Sequence, residues 1–116
     1  MFESSLDYYF YVKATDTVVK CDSEKERQEL VKKHGRCQTV QEDIFPLKCG
    51  NNVRVSTICL PFDHNDFRPL IFETMTFSKN KKYDCNQRRS SSLEEAKETH
   101  NDWIEEITEE QKNDNG

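Results

Sequence analysis

Glycine and proline are scarce in this sequence, with three of each among 116 residues. No segment matches a P-loop, a GxGxxG dinucleotide motif or a GxSxG nucleophile elbow. Because a backbone usually needs glycine to approach a phosphate closely, so few glycines argue against a phosphate-binding loop. The sequence therefore lacks the patterns of the common nucleotide-binding enzymes and serine hydrolases.

Long apolar runs are also missing. No stretch approaches the roughly 18 apolar residues that a membrane-spanning helix needs. The first ten residues, MFESSLDYYF, contain neither the basic region nor the apolar region of a signal peptide. We therefore expect a protein of the cytoplasm that has no membrane segment.

The cysteines show no pairing pattern, since their number is odd and none are spaced CxxC. They are Cys21, Cys37, Cys49, Cys59 and Cys85. In a reducing cytoplasm this pattern predicts free thiols, most of them buried, rather than disulfides or a zinc ribbon. A nucleophilic thiol is the alternative, at Cys37, three residues after His34, or at Cys85, beside basic residues that would lower its pKa.

The formal net charge of −5 is unevenly distributed. Residues 92–116 contain nine acidic and two basic side chains, so the rest of the chain is slightly basic. The basic side chains before this segment are Lys79, Lys81, Lys82, Arg88 and Arg89, and the acidic ones that follow include Glu94, Glu98, Asp102 and Glu105. The two groups are either solvated surfaces or a partner-binding surface of both signs. The acidic balance disfavours direct binding of nucleic acid.

The most strongly patterned stretch is residues 53–77, where two apolar, β-branched runs flank a short polar loop. This pattern is typical of an antiparallel hairpin, with strands over 53–62 and 70–77. Because both faces of these strands are fairly apolar, we expect the hairpin to be central and covered on both sides.

The segments around this hairpin give weaker signals. Residues 8–13 and 17–20 are aromatic and β-branched, and they predict a first hairpin. Pro46 leaves the strand character of residues 42–49 ambiguous. Residues 78–91 are polar and basic, and they indicate a loop.

Two capping boxes mark two helices. Ser23 opens the first, which predicts a helix over about 24–34 that ends at Gly35. Ser92 opens the second. The helix after Ser92 carries one apolar stripe, made of Leu93, Ala96, His100, Trp103, Ile104 and Ile107.

These elements predict an α+β fold. We expect an antiparallel sheet of about four to five strands around the central hairpin, with two helices, the C-terminal one packed on the sheet. Residues 1–110 would form a single domain, which suits the chain length, and the polar residues 111–116 would form a disordered tail.

Ionisable side chains that could carry chemistry are Asp63, His64, Glu73 and His100. Imidazoles and carboxylates suit a divalent metal site, with His64, Glu73 and His100 as ligands, or a general base oriented by an acid. Structural interpretations are open as well: His100 is typical of a core histidine and Asp63 of a turn-capping residue. Glu73, if buried, would pair with Arg54 or Arg68.

Four short segments follow one pattern: VSTICL at 55–60, DH at 63–64, PLIFETMTF at 69–77, and SLEEA at 92–96 with His100 after it. They cover about half of the chain and resemble a group of small, uncharacterised proteins of tailed bacteriophages. That group has the approximate pattern VSTVxLGxDH, PLxFETMxF and EEAxxGH. Pro61 and Thr99 replace two of its glycines. The resemblance implies a phage origin and a location in the host cytoplasm, and its polar positions are Asp63, His64, Glu73 and His100.

We therefore expect a small, phage-encoded, non-enzymatic binding protein that inhibits or modulates a host protein, for example a defence protein. A metal-dependent hydrolase with a His/Asp/Glu site is the alternative, and a virion or assembly component is the third possibility. No cofactor is expected apart from the divalent metal of the hydrolase. A host or phage protein is the expected partner, whereas nucleic acid and membrane are not, and the oligomeric state stays open.

Overall fold

A computed structural model describes residues 7–36, 38–63 and 70–113 of the chain. The elements, in chain order, are β1 (Asp7–Val12), β2 (Thr17–Cys21), α1 (Glu24–His34), β3 (Thr39–Pro46), β4 (Asn52–Cys59), β5 (Phe62–Asp63), β6 (Phe72–Ser78), a 3₁₀ turn (Lys81–Tyr83), β7 (Asn86–Ser90) and α2 (Leu93–Asn113). The strands pair antiparallel in two sheets, and α2 packs on the larger one, which confirms the α+β class. Neither α1 nor α2 is long and apolar enough to cross a membrane.

The larger sheet has four strands in the order β3-β4-β6-β7. Its central pair, β4 and β6, is the predicted hairpin, with Thr57 opposite Thr74. Side chains alternate across the pleat, and those facing α2, such as Val53 and Val55, are fully buried. On the other face Ser56 is buried and Ile58, Met75 and Phe77 are half-buried, so this face is covered less completely than the one that receives α2.

The expectation of a loop throughout residues 78–91 is wrong. β7 pairs with β6 along the edge of the larger sheet, and the 3₁₀ turn before it buries Tyr83. The strand has the sequence NQRRS, of which only Ser90 is buried. An edge strand with exposed side chains needs no apolar alternation, and so the sequence carried no signal for it.

The first hairpin, β1 and β2, forms a separate sheet with β5 rather than joining the larger one. Gln38 connects the two sheets. Its side-chain amide accepts from Tyr11 N at 2.9 Å and donates to Tyr11 O at 3.2 Å, while its carbonyl accepts from Cys59 N at 2.9 Å. The predicted sheet around the central hairpin is thus the four-stranded one, and the first hairpin lies in a second sheet that the Gln38 side chain connects to it.

Both helices begin where their caps predict. Ser23 Oγ accepts from Glu26 N at 3.2 Å, and Ser92 Oγ accepts from Glu95 N at 3.1 Å. α1 ends at Gly35, whose φ of 91° suits glycine. Both helices therefore obey local signals that the sequence displays.

The prediction of a disordered tail from residue 111 is wrong for residues 111–113, because α2 continues through them. Gln111 accepts from Lys48 N at 2.7 Å and donates to Tyr83 Oη at 3.1 Å. These contacts with the turn after β3 and with the 3₁₀ turn hold the end of the helix. These contacts join residues far apart in the chain, and so the polar sequence of the segment itself could not predict them.

Candidate functional site

The buried histidine of α2 lies in the middle of a chain of hydrogen bonds. Its Nδ1 is 2.8 Å from Thr57 Oγ1, and its Nε2 is 2.8 Å from Asp43 Oδ2. Thr57 Oγ1 is in turn 2.7 Å from Thr74 Oγ1. In the tautomer that fits these partners, His100 Nε2–H donates to the Asp43 carboxyl group and Nδ1 accepts from the Thr57 hydroxyl. Both ring nitrogens of His100 are therefore satisfied.

A hydroxyl, an imidazole and a carboxylate are also the groups of a hydrolase relay. Here the hydroxyl and the imidazole are buried between α2 and the larger sheet, since Thr57 and His100 are both 0% exposed. A substrate carbonyl cannot reach Thr57 Oγ1 without displacing the helix. The arrangement therefore joins α2 to β3, β4 and β6, and of the two interpretations of His100 it fits the core histidine.

The candidate metal ligands do not converge within the described residues. Thr74 points toward α2 and His100, and Glu73, its neighbour on β6, therefore points to the opposite face of the sheet. His64 and the side chain of Asp63 lie outside the described part of the chain. Among the residues that are described, no group of three or more His, Cys, Asp or Glu side chains is placed to hold a metal ion.

Glu73 has a different partner from the two arginines that the sequence suggested. Its carboxylate lies 3.3 Å from Arg89 Nη2, and its side chain is 14% exposed. Arg89 stands directly opposite on β7, the strand that the sequence did not reveal. Arg54 instead pairs with Glu42 at 3.4 Å, and Arg68 is outside the described residues.

The fold divides the predicted basic cluster. Lys82 and Arg88 face α2, whereas Arg89 points to the other side of the sheet. Lys79 and Lys81 are exposed around the start of the 3₁₀ turn. The surface on which basic and acidic side chains meet is thus narrower than the sequence suggested. It lies along one side of α2, where Lys82 and Arg88 pair with glutamates of the helix.

On that side a surface groove of about 580 Å³ runs between α2 and the segment formed by the 3₁₀ turn and β7. We call it the α2 groove. Its aromatic lining consists of Tyr83 and Trp103, which are 5% and 7% exposed. Tyr83 Oη donates to Glu110 at 2.7 Å, and burial, followed by this hydrogen bond, raises the pKa of the Tyr83 hydroxyl. The sequence predicted Trp103 in the apolar stripe of a helix and Tyr83 in a loop, and it carried no signal for the groove between them.

The acidic residues predicted on the second helix form a continuous feature on its solvent side. We call Glu94, Glu98, Asp102 and Glu105 the acidic stripe. At 3.6 residues per turn their side chains fall within an arc of about 80°, roughly opposite the buried stripe of α2. All four are exposed, and their carboxylates make no ion pair with a cation of the described residues, unlike Glu106 and Glu110 nearby.

Of the four thiols that the structure describes, Cys21 and Cys59 are buried, and Cys49 and Cys85 are exposed. Cys37, one of the two candidate nucleophiles, lies outside the described residues. The charge of Asp84 raises the pKa of Cys85, so its basic neighbours do not activate it. Among the described thiols the one with a lowered pKa is Cys49, which accepts hydrogen bonds from the Asn51 backbone and from the side chain of Asn80.

We expect Cys49 to react fastest with a disulfide reagent such as DTNB near pH 8. A lowered pKa gives more thiolate, whereas burial raises the pKa of Cys59 to about 12. The measurement is the reaction time course in a Cys37→Ser background. Cys49→Ser should remove the fast phase and Cys85→Ser should retain it; the opposite result would contradict the assignment.

Comparisons of the chain with family models, with curated proteins and with solved structures found no match.

Proposed function

We propose that this protein is a non-enzymatic binding protein that docks a basic surface of a protein partner along the acidic stripe of α2. The observation that carries the proposal is the set of four exposed carboxylates opposite the buried face of the helix. Opposite charge across an interface speeds the encounter and fixes its register. A helix whose other face is anchored in the core presents these charges on a rigid support.

The length of the acidic stripe suits a protein surface rather than a small cation. From Glu94 to Glu105 the helix rises about 16 Å, at 1.5 Å per residue. Glu109 extends the same line by one further turn, although its carboxylate lies 3.8 Å from Lys112. Most of the remaining acids of α2 are paired, Glu106 with Arg88 and Glu110 with Lys82. The stripe therefore holds most of the carboxylate charge that is left for a partner.

The candidate enzyme residues support this proposal by their positions. His100 and Thr57 are sealed in the core, and Glu73 pairs with Arg89 on the far side of the sheet. His100 contacts Thr57 and Glu73 contacts Arg89, so these described candidates share no open site. Following the resemblance to phage proteins, we propose further that the partner is a protein of the infected cell whose activity is modulated by the complex.

The test is affinity capture from a bacterial lysate, followed by measurement of the affinity for the captured protein. Glu98→Gln with Asp102→Asn should weaken binding about tenfold, since two exposed charge pairs together contribute about 1.4 kcal/mol. The weakening should shrink at high salt, because exposed charges are screened.

The matched control is Asp22→Asn with Glu29→Gln, which removes the same two types of charge from exposed positions around α1. This pair should leave the affinity unchanged. Equal weakening of binding in both double variants would mean that the net charge of the protein, and not the acidic stripe, causes the effect. A capture with no enriched protein would count against the binding proposal itself.

A further inference from the structure

The α2 groove holds two cations of the chain itself, each placed on an aromatic ring and beside a carboxylate. The guanidinium carbon of Arg88 lies 4.2 Å from the centre of the Trp103 ring, and Arg88 Nη2 lies 2.8 Å from Glu106. Lys82 Nζ lies 5.4 Å from the centre of the Tyr83 ring and 3.5 Å from Glu110. An aromatic face with an adjacent carboxylate is the environment that attracts an organic cation, and the groove contains it twice.

The groove remains acidic even with these two cations in place. Four carboxylates line it, from Glu105, Glu106, Glu109 and Glu110, against the charges of Lys82 and Arg88. Glu105 also belongs to the acidic stripe. A basic partner that lies along the stripe therefore meets the mouth of the groove without leaving the helix.

The Arg88 guanidinium on Trp103 is held weakly enough for another cation to replace it. Arg88 comes from an edge strand, and its side chain is 41% exposed. Its ion pair with Glu106 is at the surface, where such pairs contribute little to stability. An incoming guanidinium that takes over both contacts would cost the protein few interactions.

We propose that the α2 groove recognises an arginine of the partner protein, whose guanidinium replaces that of Arg88 between Trp103 and Glu106. This inference rests on the proposed function and specifies the chemistry of the partner. Arginine is favoured over lysine because its planar group stacks on an indole and forms two parallel hydrogen bonds with a carboxylate. Arg88 thus acts as an internal competitor for its own site.

The test uses hexa-arginine and hexalysine peptides with the full chain and follows Trp103, the only tryptophan, by fluorescence. Hexa-arginine should bind about threefold or more tighter than hexalysine and change the Trp103 emission. Arg88→Gln should tighten hexa-arginine binding about three- to fivefold, because the competitor is removed.

The control is Arg89→Gln, which removes the same charge from the next residue of β7 but on the other face of the sheet. It should leave the affinity for hexa-arginine unchanged. Far-UV circular dichroism of both variants checks that the fold is retained.

The two proposals fail in different ways. Equal binding of both peptides, with equal effects of Arg88→Gln and Arg89→Gln, would overturn the groove inference, as would no binding of hexa-arginine. If that equal binding still weakened with Glu98→Gln and Asp102→Asn, the acidic stripe would stand without the groove. If hexa-arginine binding changed with Arg88→Gln but not with Glu98→Gln and Asp102→Asn, the groove inference would stand and the proposal for the acidic stripe would be overturned.

Discussion

Replacing His100 by alanine should lower the free energy of unfolding by about 3–4 kcal/mol. The imidazole is 0% exposed, so its removal leaves a cavity between α2 and the sheet. It also removes one of the two hydrogen-bond partners of the Thr57 hydroxyl, which is equally buried and keeps Thr74, and one partner of Asp43. Unfolding in urea, followed by circular dichroism, gives the change in free energy.

The control is His34→Ala, the same substitution in the exposed last turn of α1. It should cost less than about 1 kcal/mol, because the substitution removes only an exposed side chain near the helix C-terminus and its tilted ring contact with Phe10. Equal effects of the two substitutions would contradict the central role of the His100 network. Zinc that stabilises the wild type but not His100→Ala would instead favour the hydrolase alternative.

Replacing Phe72 by alanine should destabilise the protein by about 3–4 kcal/mol. Phe72 is 1% exposed and packs with Tyr9, Tyr11 and Ala96 where β1, β6 and α2 meet. Its removal opens a cavity in the core cluster that joins the smaller sheet to the larger one. The measurement is again unfolding in urea, with Phe72→Leu as a variant that retains most of the packing and should cost about 1 kcal/mol.

Phe77→Ala is the matched control, at the other end of the same strand. Phe77 lies on the opposite face, partly exposed, with the guanidinium carbon of Arg54 4.5 Å from the centre of its ring. Alanine there should cost about 1 kcal/mol, for a half-buried ring and one cation–π contact. A larger loss at Phe77 than at Phe72 would mean that the face assigned to the core is the wrong one.

Local sequence signals predicted those parts of the fold that local interactions form. Ser23 and Ser92 cap amides three residues ahead, and Gly35 takes the positive φ that ends α1. The central hairpin follows from two apolar runs with a short connection, which pair antiparallel once the chain turns. The buried stripe of α2 follows from helical periodicity, and with it the burial of Trp103.

The residue pattern of β6 could not predict which face of the larger sheet is covered by α2. Phe72 and Phe77 lie on opposite faces of β6, and both belong to one apolar run. Alternation alone cannot say which face receives α2 when both carry aromatic residues. The packing of α2 decided it, and with it the separation of Glu73 from His100.

The contacts of the candidate site residues were even less predictable from the sequence, because they join residues far apart in the chain. His100 is bonded to a threonine 43 residues away and to an aspartate 57 residues away, and Glu73 pairs across to a strand that had no apolar pattern. The stacking of Arg88 on Trp103 likewise depends on where β7 lies against α2. By itself the sequence determined the helices, their caps, the two hairpins and the acidic face of α2, because these depend on residues within a few positions of one another. The tertiary structure alone decided which polar side chains meet, because each such contact joins separate elements whose relative placement comes from packing of the whole core.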